Sequence, residues 1–210
     1  IALMQVKKEI DYMLSLVEVN TVRSFTSMET GSNEFGDLIS ENEGVIDFTN
    51  SALTKFLIKL SGNVEQSDER VIGSHFHVLN DLERIGDNAV NFHEIGVEMI
   101  NKSIKLSDKA YSDITEMREG IMQMFAISKD AFVNLNKEEL PELAVLEETI
   151  DGKKKAFIAS HFARLAEGSC RAEVSPYYSS IISGLERVAD HLVNVGFSIV
   201  NPTGSQKVDA

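Results

Sequence analysis

The chain has 210 residues, 43% of them hydrophobic, which is enough for a packed core and excludes disorder throughout. Its formal net charge of −13 makes nucleic acid a poor partner, because phosphate backbones would be repelled. A single cysteine, Cys170, excludes an intrachain disulfide and favours a reducing compartment, and no apolar run is long enough for a membrane span.

Apolar residues three and four positions apart predict three helices in the first half of the chain. The first carries apolar residues over 3–17 and should end before Gly31. The apolar residues of the second helix are Leu38, Val45, Leu53, Phe56 and Leu60. Gly62 is expected to close that helix as a left-handed cap. The third should begin with Ser67 as its N-cap and run to about Ile100.

The same order repeats in the second half. A fourth helix is predicted from about Ile114 to Leu135, and Pro141 sits where the first turn of a fifth helix tolerates proline. That helix should end before Gly168. Ser175 followed by proline predicts the cap of a sixth helix, which Pro202 would end. Because short turns favour antiparallel neighbours, the expected fold is all-α, with six antiparallel helices in two three-helix bundles.

Two nine-residue stretches, 83–91 and 186–194, carry Glu, Arg, Asp, Val and Asn at identical spacing. Two further stretches, 43–47 and 147–151, share Glu, Ile and Asp. The motif pairs give repeat lengths of 103 and 104 residues, in agreement to within one residue. The sequence therefore predicts a tandem duplication, with a first repeat over 1–104 and a second over 105–210.

Each of the four stretches contains two carboxylates four residues apart, which places them side by side on one helix face. The pairs lie beside the apolar stripe rather than opposite it. If the second and third helices are neighbours, four carboxylates meet in one groove, and the fifth and sixth helices build another. Such a group repels itself, and either Arg84 and Arg187 or a bound metal ion must offset the repulsion.

The sequence Leu-Glu-Arg-Ile-Gly-Asp-Asn at 82–88 and Leu-Glu-Arg-Val-Ala-Asp-His at 185–191 resembles the PhoU family, and Asn91 and Asn194 extend the likeness. It covers essentially the whole chain in two copies. The resemblance implies tandem three-helix bundles that regulate phosphate transport without enzymatic activity.

The resemblance also implies metal ions as cofactors, in iron or zinc clusters on the bundle surface. The ligands carried over residue by residue are Glu43, Asp47, Glu83, Asp87, Glu147, Asp151, Glu186 and Asp190. Asn88 stands where a histidine is common in the family, as His191 does in the second copy. The first site is therefore expected to bind metal differently or more weakly than the second.

The family also occurs as the cytosolic tail of sodium-dependent phosphate cotransporters. Residues 2–10 resemble the helix that leads into the PhoU domain there, and we expect the chain to be such a tail, with membrane helices before Ile1. The alternative is a free-standing regulator of a phosphate ABC transporter and its signalling. Both place the chain at the cytoplasmic side of the cell membrane, with a phosphate transporter as partner and a homodimer as a further expectation.

The clustered acids are also compatible with two other classes of protein, a di-iron oxidase and a metal-free docking module. Di-iron oxidases build their sites with Glu-x-x-His on two helices, and no histidine here has a glutamate three residues before it, which argues against an oxidase. A metal-free docking module, whose acids pair with a partner, stays open. The histidines His75, His77, His93 and His161 are interpreted as surface or partly buried helix residues rather than as ligands.

Overall fold

A computed structural model describes residues 1–62 and 64–201. Within those ranges the chain forms six α-helices and one short 3-10 helix, and no strand. The helices are α1 (Ala2–Thr30), α2 (Gly36–Ser61), α3 (Gln66–Asn101), α4 (Asp108–Asn134), α5 (Leu140–Ala166) and α6 (Ser175–Phe197). The prediction of an all-α fold with six helices is confirmed.

The helices pack as two sets of three that share one hydrophobic core. In the first set α3 packs against α1 and α2, and in the second α6 packs against α4 and α5. The two sets meet mainly where α3 crosses to α6. Each set therefore has one central helix, and the two central helices join the halves.

The two central helices run antiparallel with a seven-residue register. Ser74 Oγ donates to the carbonyl of Ser198 at 3.1 Å, and His191 Nδ1 lies 2.8 Å from Asp81 Oδ1. One heptad further along α3, Asn88 Oδ1 lies 3.4 Å from the position that a Cβ would take at Gly184. A seven-residue repeat keeps the same faces together along two helices, as in a coiled coil.

Several predicted helix ends are confirmed. Gly31 follows α1 in the left-handed conformation, with φ of 64°, and this conformation ends the helix. Pro141 lies in the first turn of α5, where its missing N–H costs no hydrogen bond. Gly168, with φ of 72°, follows the end of α5.

The face of α2 was predicted correctly only in part, because Leu53 and Leu60 pack against the core and the other three predicted residues do not. Its buried residues are Ile39, Ile46 and Leu57, whereas Leu38, Val45 and Phe56 are exposed. The stripe is narrow because α2 lies at the edge of its bundle, so a sequence with apolar residues on two faces gave no unique choice. The left-handed cap at Gly62 is also wrong, since this residue is right-handed with φ of −76°.

Three helix boundaries differ from the sequence expectation. Glu65 rather than Ser67 is the N-cap of α3, and neither supplies a side-chain cap. Leu135 lies beyond α4 in the left-handed conformation. Ser175 is the first residue of α6, and its hydroxyl lies 3.0 Å from His161 Nε2 instead of capping the helix. Pro202 lies outside the described residues.

The predicted division after residue 104 falls in the loop between α3 and α4. That each half is a domain in its own right stays a prediction, because the two halves share a core. None of the helices in 1–62 and 64–201 is long and apolar enough to cross a membrane.

Candidate metal-binding grooves

The first acidic groove is formed where α2 packs against α3. Glu43 and Asp47 come from α2, and Glu83 and Asp87 come from α3. The negative charges of Asp47, Asp87 and Glu83 each disfavour ionisation of Glu43. The three carboxylates therefore lie within electrostatic range of Glu43. The packing of the two helices thus brings together the four carboxylates expected from the sequence.

Glu43 is the innermost carboxylate of this groove. Burial first, and then the neighbouring carboxylates, raise the pKa of Glu43 from 4.5 to about 7. Its Oε2 atom is buried and has no hydrogen-bond partner among the described residues. An ionised carboxylate in this position is unfavourable unless a proton or a cation compensates its charge.

Gly86 allows Glu43 to approach the backbone of α3. A Cβ at Gly86 would lie 3.0 Å from Glu43 Oε2, closer than ordinary van der Waals contact. Glycine in a helix interior costs about 1 kcal/mol relative to alanine. The motif position between Glu83 and Asp87 therefore provides the space that holds the Glu43 carboxylate.

Arg84 offsets only part of the charge in the first groove. Its Nη1 lies 3.5 Å from Asp87 Oδ2 and its Nε lies 4.0 Å from Glu83 Oε2. The guanidinium is 55% exposed, and ion pairs with this exposure contribute little. Arg84 does not reach Glu43, which keeps its unsatisfied oxygen.

A cavity of about 510 Å³ extends the first groove toward the start of α2. Beyond Glu43 and Asp47 its wall includes Asp37, His93 and Glu94. Asp37 and Glu94 were not among the residues expected at a site, and His93 was interpreted as a surface or partly buried helix residue. The sequence could have predicted Glu94 as part of the groove, because it lies seven residues after Asp87 and so shares its helix face. The place of His93 in the cavity wall depends on how α2 crosses α3, which the sequence does not show.

The second acidic groove is formed by α5 and α6. Glu147 and Asp151 lie on α5, and Glu186 and Asp190 lie on α6. Burial raises the pKa of Glu147, and Asp190, within hydrogen-bonding reach, raises it further. This geometry favours one proton shared between these two carboxyl groups.

Two lysines lie in the second groove and have no counterpart in the first. Lys154 Nζ lies 2.7 Å from Glu186 Oε2, and Lys155 Nζ lies 2.6 Å from Asp151 Oδ2. At the repeat spacing of 104, the first half carries Asn50 and Ser51 at these positions. The second groove therefore carries its own counter-charges.

Gly86 also has no counterpart in the second groove. Ala189 stands at the equivalent position and is fully buried. The two grooves have equivalent acids but different surroundings. The first, with an unpartnered buried oxygen, suits a cation. The second is compensated in part, mainly by Lys154, because the side chain of Lys155 is 74% exposed.

The effect of Asn88 on metal binding at the first site stays a prediction, and Asn88 and its counterpart His191 both lie near the other half of the chain. His191 bonds Asp81 of the other half, and Asn88 Nδ2 donates to the carbonyl of Arg84 and lies near Gly184. Both residues face the contact between α3 and α6. The lysines, rather than this asparagine and histidine, distinguish the two grooves electrostatically.

Metal binding itself stays a prediction. Across residues 1–62 and 64–201, no three histidine, cysteine or acidic side chains already stand in the arrangement of a metal site. The first groove fits a metal in its chemistry, because carboxylate oxygens are the ligands of hard cations. Side-chain rotations would be needed to bring the oxygens of Glu43, Asp47, Glu83 and Asp87 onto one ion.

The fold and the paired grooves define a class: duplicated three-helix bundles whose central helices carry a Glu-x-x-x-Asp motif. The sequence matches the profile described as the PhoU domain twice, over residues 10–96 and 114–199. The chain belongs to the PhoU family.

Curated relatives and solved structures agree with this assignment. The chain is 26% identical to the phosphate-specific transport system accessory protein PhoU homolog 1 of Thermotoga maritima, over 90% of this chain and 82% of that protein. It is 23% identical to the phosphate-specific transport system accessory protein PhoU homolog of Clostridium acetobutylicum, over 98% and 94%.

Two crystal structures share the fold. PhoU from Pseudomonas aeruginosa superposes with a TM-score of 0.85 at 19% identity, covering 94% of this chain and 96% of that one. The phosphate transport system regulatory protein PhoU from Streptococcus pneumoniae gives a TM-score of 0.83 at 20% identity, covering 96% and 94%. These likenesses show the fold.

Proposed function

We propose that the chain is a non-enzymatic regulator of phosphate transport that acts as a separate accessory protein of a phosphate transport system at the cytoplasmic face of the membrane. The observation that carries this proposal is the match to two curated relatives, both named as accessory proteins, over 82% and 94% of their length. The same match favours an accessory protein over the transporter tail expected from the sequence.

The proposal is tested by phosphate uptake in the native cell. Deleting the gene should change uptake of radiolabelled phosphate in phosphate-rich medium, and a plasmid copy should restore it, with the empty plasmid as control. Uptake that is identical with and without the gene at every phosphate concentration would contradict the proposed role.

The same cells separate an accessory protein from a transporter tail. An antibody against the chain should detect a polypeptide that high salt releases from the membrane fraction. A band that stays with the membrane after high salt and has the mass of a transporter would restore the tail hypothesis.

Metal binding in the first groove is the second part of the proposal. Glu43, Asp47, Glu83 and Asp87 would hold the ion, which would neutralise charge and fix α2 against α3. Iron and zinc are the ions to test first. The support is the unpartnered Oε2 atom of Glu43 in a groove where, among the described residues, the arginine that pairs with Glu83 and Asp87 is solvent-exposed.

Elemental analysis and melting with added iron or zinc test this part. Binding stabilises the folded state, by about 2.7 kcal/mol at one hundred times the dissociation constant. Asp87→Ala should abolish the melting shift and stabilise the metal-free protein, whereas Asp190→Ala in the lysine-containing groove should leave most of the shift. No bound metal and no shift in the wild-type chain would favour the metal-free docking module.

A further inference from the structure

A second cavity lies at the start of α3, and none of the eight groove carboxylates lines it. Its volume is about 470 Å³, and it lies between the starts of α1 and α3, the end of α4 and the residues that follow α6. From Val71 in this cavity to Val90 in the first groove, α3 rises by roughly 28 Å. The cavity therefore belongs to neither groove.

The lining of this cavity is mainly apolar. Its apolar residues are Leu3, Met4, Val71, Phe132, Leu135 and Ile199. Met4 is 68% exposed and Leu135 is 61% exposed, so apolar surface at the cavity mouth lies open to water. Volumes of this size and lining are typical of sites for small organic molecules.

One buried polar group in the wall has no partner. His75 is only 6% exposed, and its Nδ1 atom is buried without a hydrogen bond among the described residues. The ring packs edge-on against Phe132, with centroids 6.2 Å apart. A buried nitrogen left without a hydrogen bond destabilises the folded state by about 1–3 kcal/mol. A hydrogen bond from this nitrogen to an oxygen atom of a bound ligand would remove that penalty.

The charges around the cavity differ from those of the whole protein. Lys7 and Arg70 line it together with a single carboxylate, Asp68, whereas the chain has a net charge of −13. Lys7 Nζ lies 5.1 Å from the Phe132 ring centroid and also pairs with Asp11 at 3.3 Å. The ammonium group is thus held against the apolar wall, where an anionic head group could contact it.

We propose that this cavity is a binding site for an amphipathic carboxylate: a small molecule with an apolar chain or ring and one carboxylate head group. The apolar chain or ring of the ligand occupies the space between Val71 and Phe132. His75, in the tautomer with a proton on Nδ1, donates a hydrogen bond to a carboxylate oxygen, and Lys7 supplies the opposite charge. Because the lining comes from both halves, the ligand bridges them at the end of the α3 and α6 pair.

Titration calorimetry with decanoate tests the proposal on the full chain. Decanoate should bind in the micromolar range, and decanol, which has the same chain length without the charge, should bind at least tenfold more weakly. Decanol binding as tightly as decanoate would overturn the proposed role of the head group. No decanoate binding to the wild-type chain would overturn the site.

Substitutions locate the binding in this cavity. Val71→Trp fills it from a position that is 40% exposed, so folding should survive, and His75→Phe removes the hydrogen-bond donor. Each should weaken decanoate binding at least tenfold, while His77→Phe, at an exposed position on the same helix, should leave it unchanged. Unchanged decanoate affinity in a folded Val71→Trp variant, verified by circular dichroism, would overturn the assignment. Phosphate uptake is not used in this test, so the outcome is independent of the proposed regulatory function.

Discussion

The pKa values of individual carboxyl groups in this protein differ because their surroundings differ. The four acids of the first groove and the four of the second were identified from spacing alone, since residues four apart share a helix face. Spacing could not show that Glu43 lies deepest, because this depends on the glycine at position 86 and on the helix crossing. The ion pair of Asp151 with Lys155, four residues later, was readable from the sequence, whereas that of Lys154 with Glu186 required the packing of α5 on α6.

Glu43 gives the metal-free protein a pH dependence of stability. Its pKa is about 7 in the folded chain and 4.5 as the ordinary value, so the folded state keeps a proton that the unfolded state has released. The contribution is complete below pH 4.5 and is lost as the pH rises through 7. Denaturant unfolding without metal should therefore show that Glu43→Gln stabilises the protein at pH 8, by about 1 kcal/mol after allowance for solvent screening.

The matched control for this prediction is Glu41→Gln, two residues earlier on the same helix and exposed. It should change the free energy of unfolding by less than about 0.5 kcal/mol at either pH. Equal effects of the two substitutions at pH 8 would show that Glu43 is not buried against its neighbours.

Asp113 is a fully buried acid that joins three helices of the second half. It accepts a hydrogen bond from Tyr178 Oη at 2.7 Å and from Lys109 Nζ at 2.5 Å, and Arg164 Nη2 lies 3.9 Å away. Asp113→Ala should cost about 3 kcal/mol in urea unfolding, because it leaves the buried Tyr178 hydroxyl without its acceptor and the largely buried Arg164 guanidinium without its nearby opposite charge. Asp108→Ala, exposed in the same helix, is the control, and similar losses for both would contradict the role of the buried network.

At the scale of helices, the sequence predicted which segments are helical more securely than which face is buried. The faces of α3 and α6 follow a single apolar stripe because each central helix packs on several neighbours. At the edge of the bundle α2 buries a narrow stripe, and Phe48, 74% exposed, shows that its apolar residues are not all directed inward. Periodicity alone gives no preference between two apolar faces on such a helix.

Two glycines of α3 should respond in opposite ways to alanine. A Cβ at Gly96 would lie 2.6 Å from Met28 Cα, in the backbone of α1, so Gly96→Ala should destabilise the protein by about 1–3 kcal/mol. A Cβ at Gly73 would have no neighbour within 4 Å, so Gly73→Ala should stabilise it by about 0.5–1 kcal/mol through helix propensity. Thermal melts of both variants compare the signs, and a stabilising Gly96→Ala would contradict the close approach of α1 and α3.

For the molecule as a whole, the sequence predicted the duplication but not how the halves meet. In the alignment of the two repeats, Asn88 is equivalent to His191. Only the structure shows that both residues face the contact between α3 and α6. That contact depends on pairs such as Asp81 with His191, which are 110 residues apart, and no local pattern reports it.

Because both halves share one core, they should unfold together. Gly184→Ala would place a Cβ 2.6 Å from the ring of Phe92 across the contact, and Phe92 is fully buried. We expect this substitution to lower the melting temperature in a single transition seen alike by far-ultraviolet circular dichroism and by tyrosine absorbance. Two separated transitions would instead support independent domains divided after residue 104.

The lysines that partly compensate the second groove contribute to an unequal charge on the two halves of the molecule. Residues 1–104 carry a formal charge of −9 and residues 105–210 a charge of −4. Because the two halves lie side by side across the contact between α3 and α6, this imbalance produces a field across the helices that draws cations, and basic surfaces of other proteins, toward the first half. An ion bound there would reduce the imbalance, so the same acids that would hold it also determine which side of the molecule a basic partner meets first.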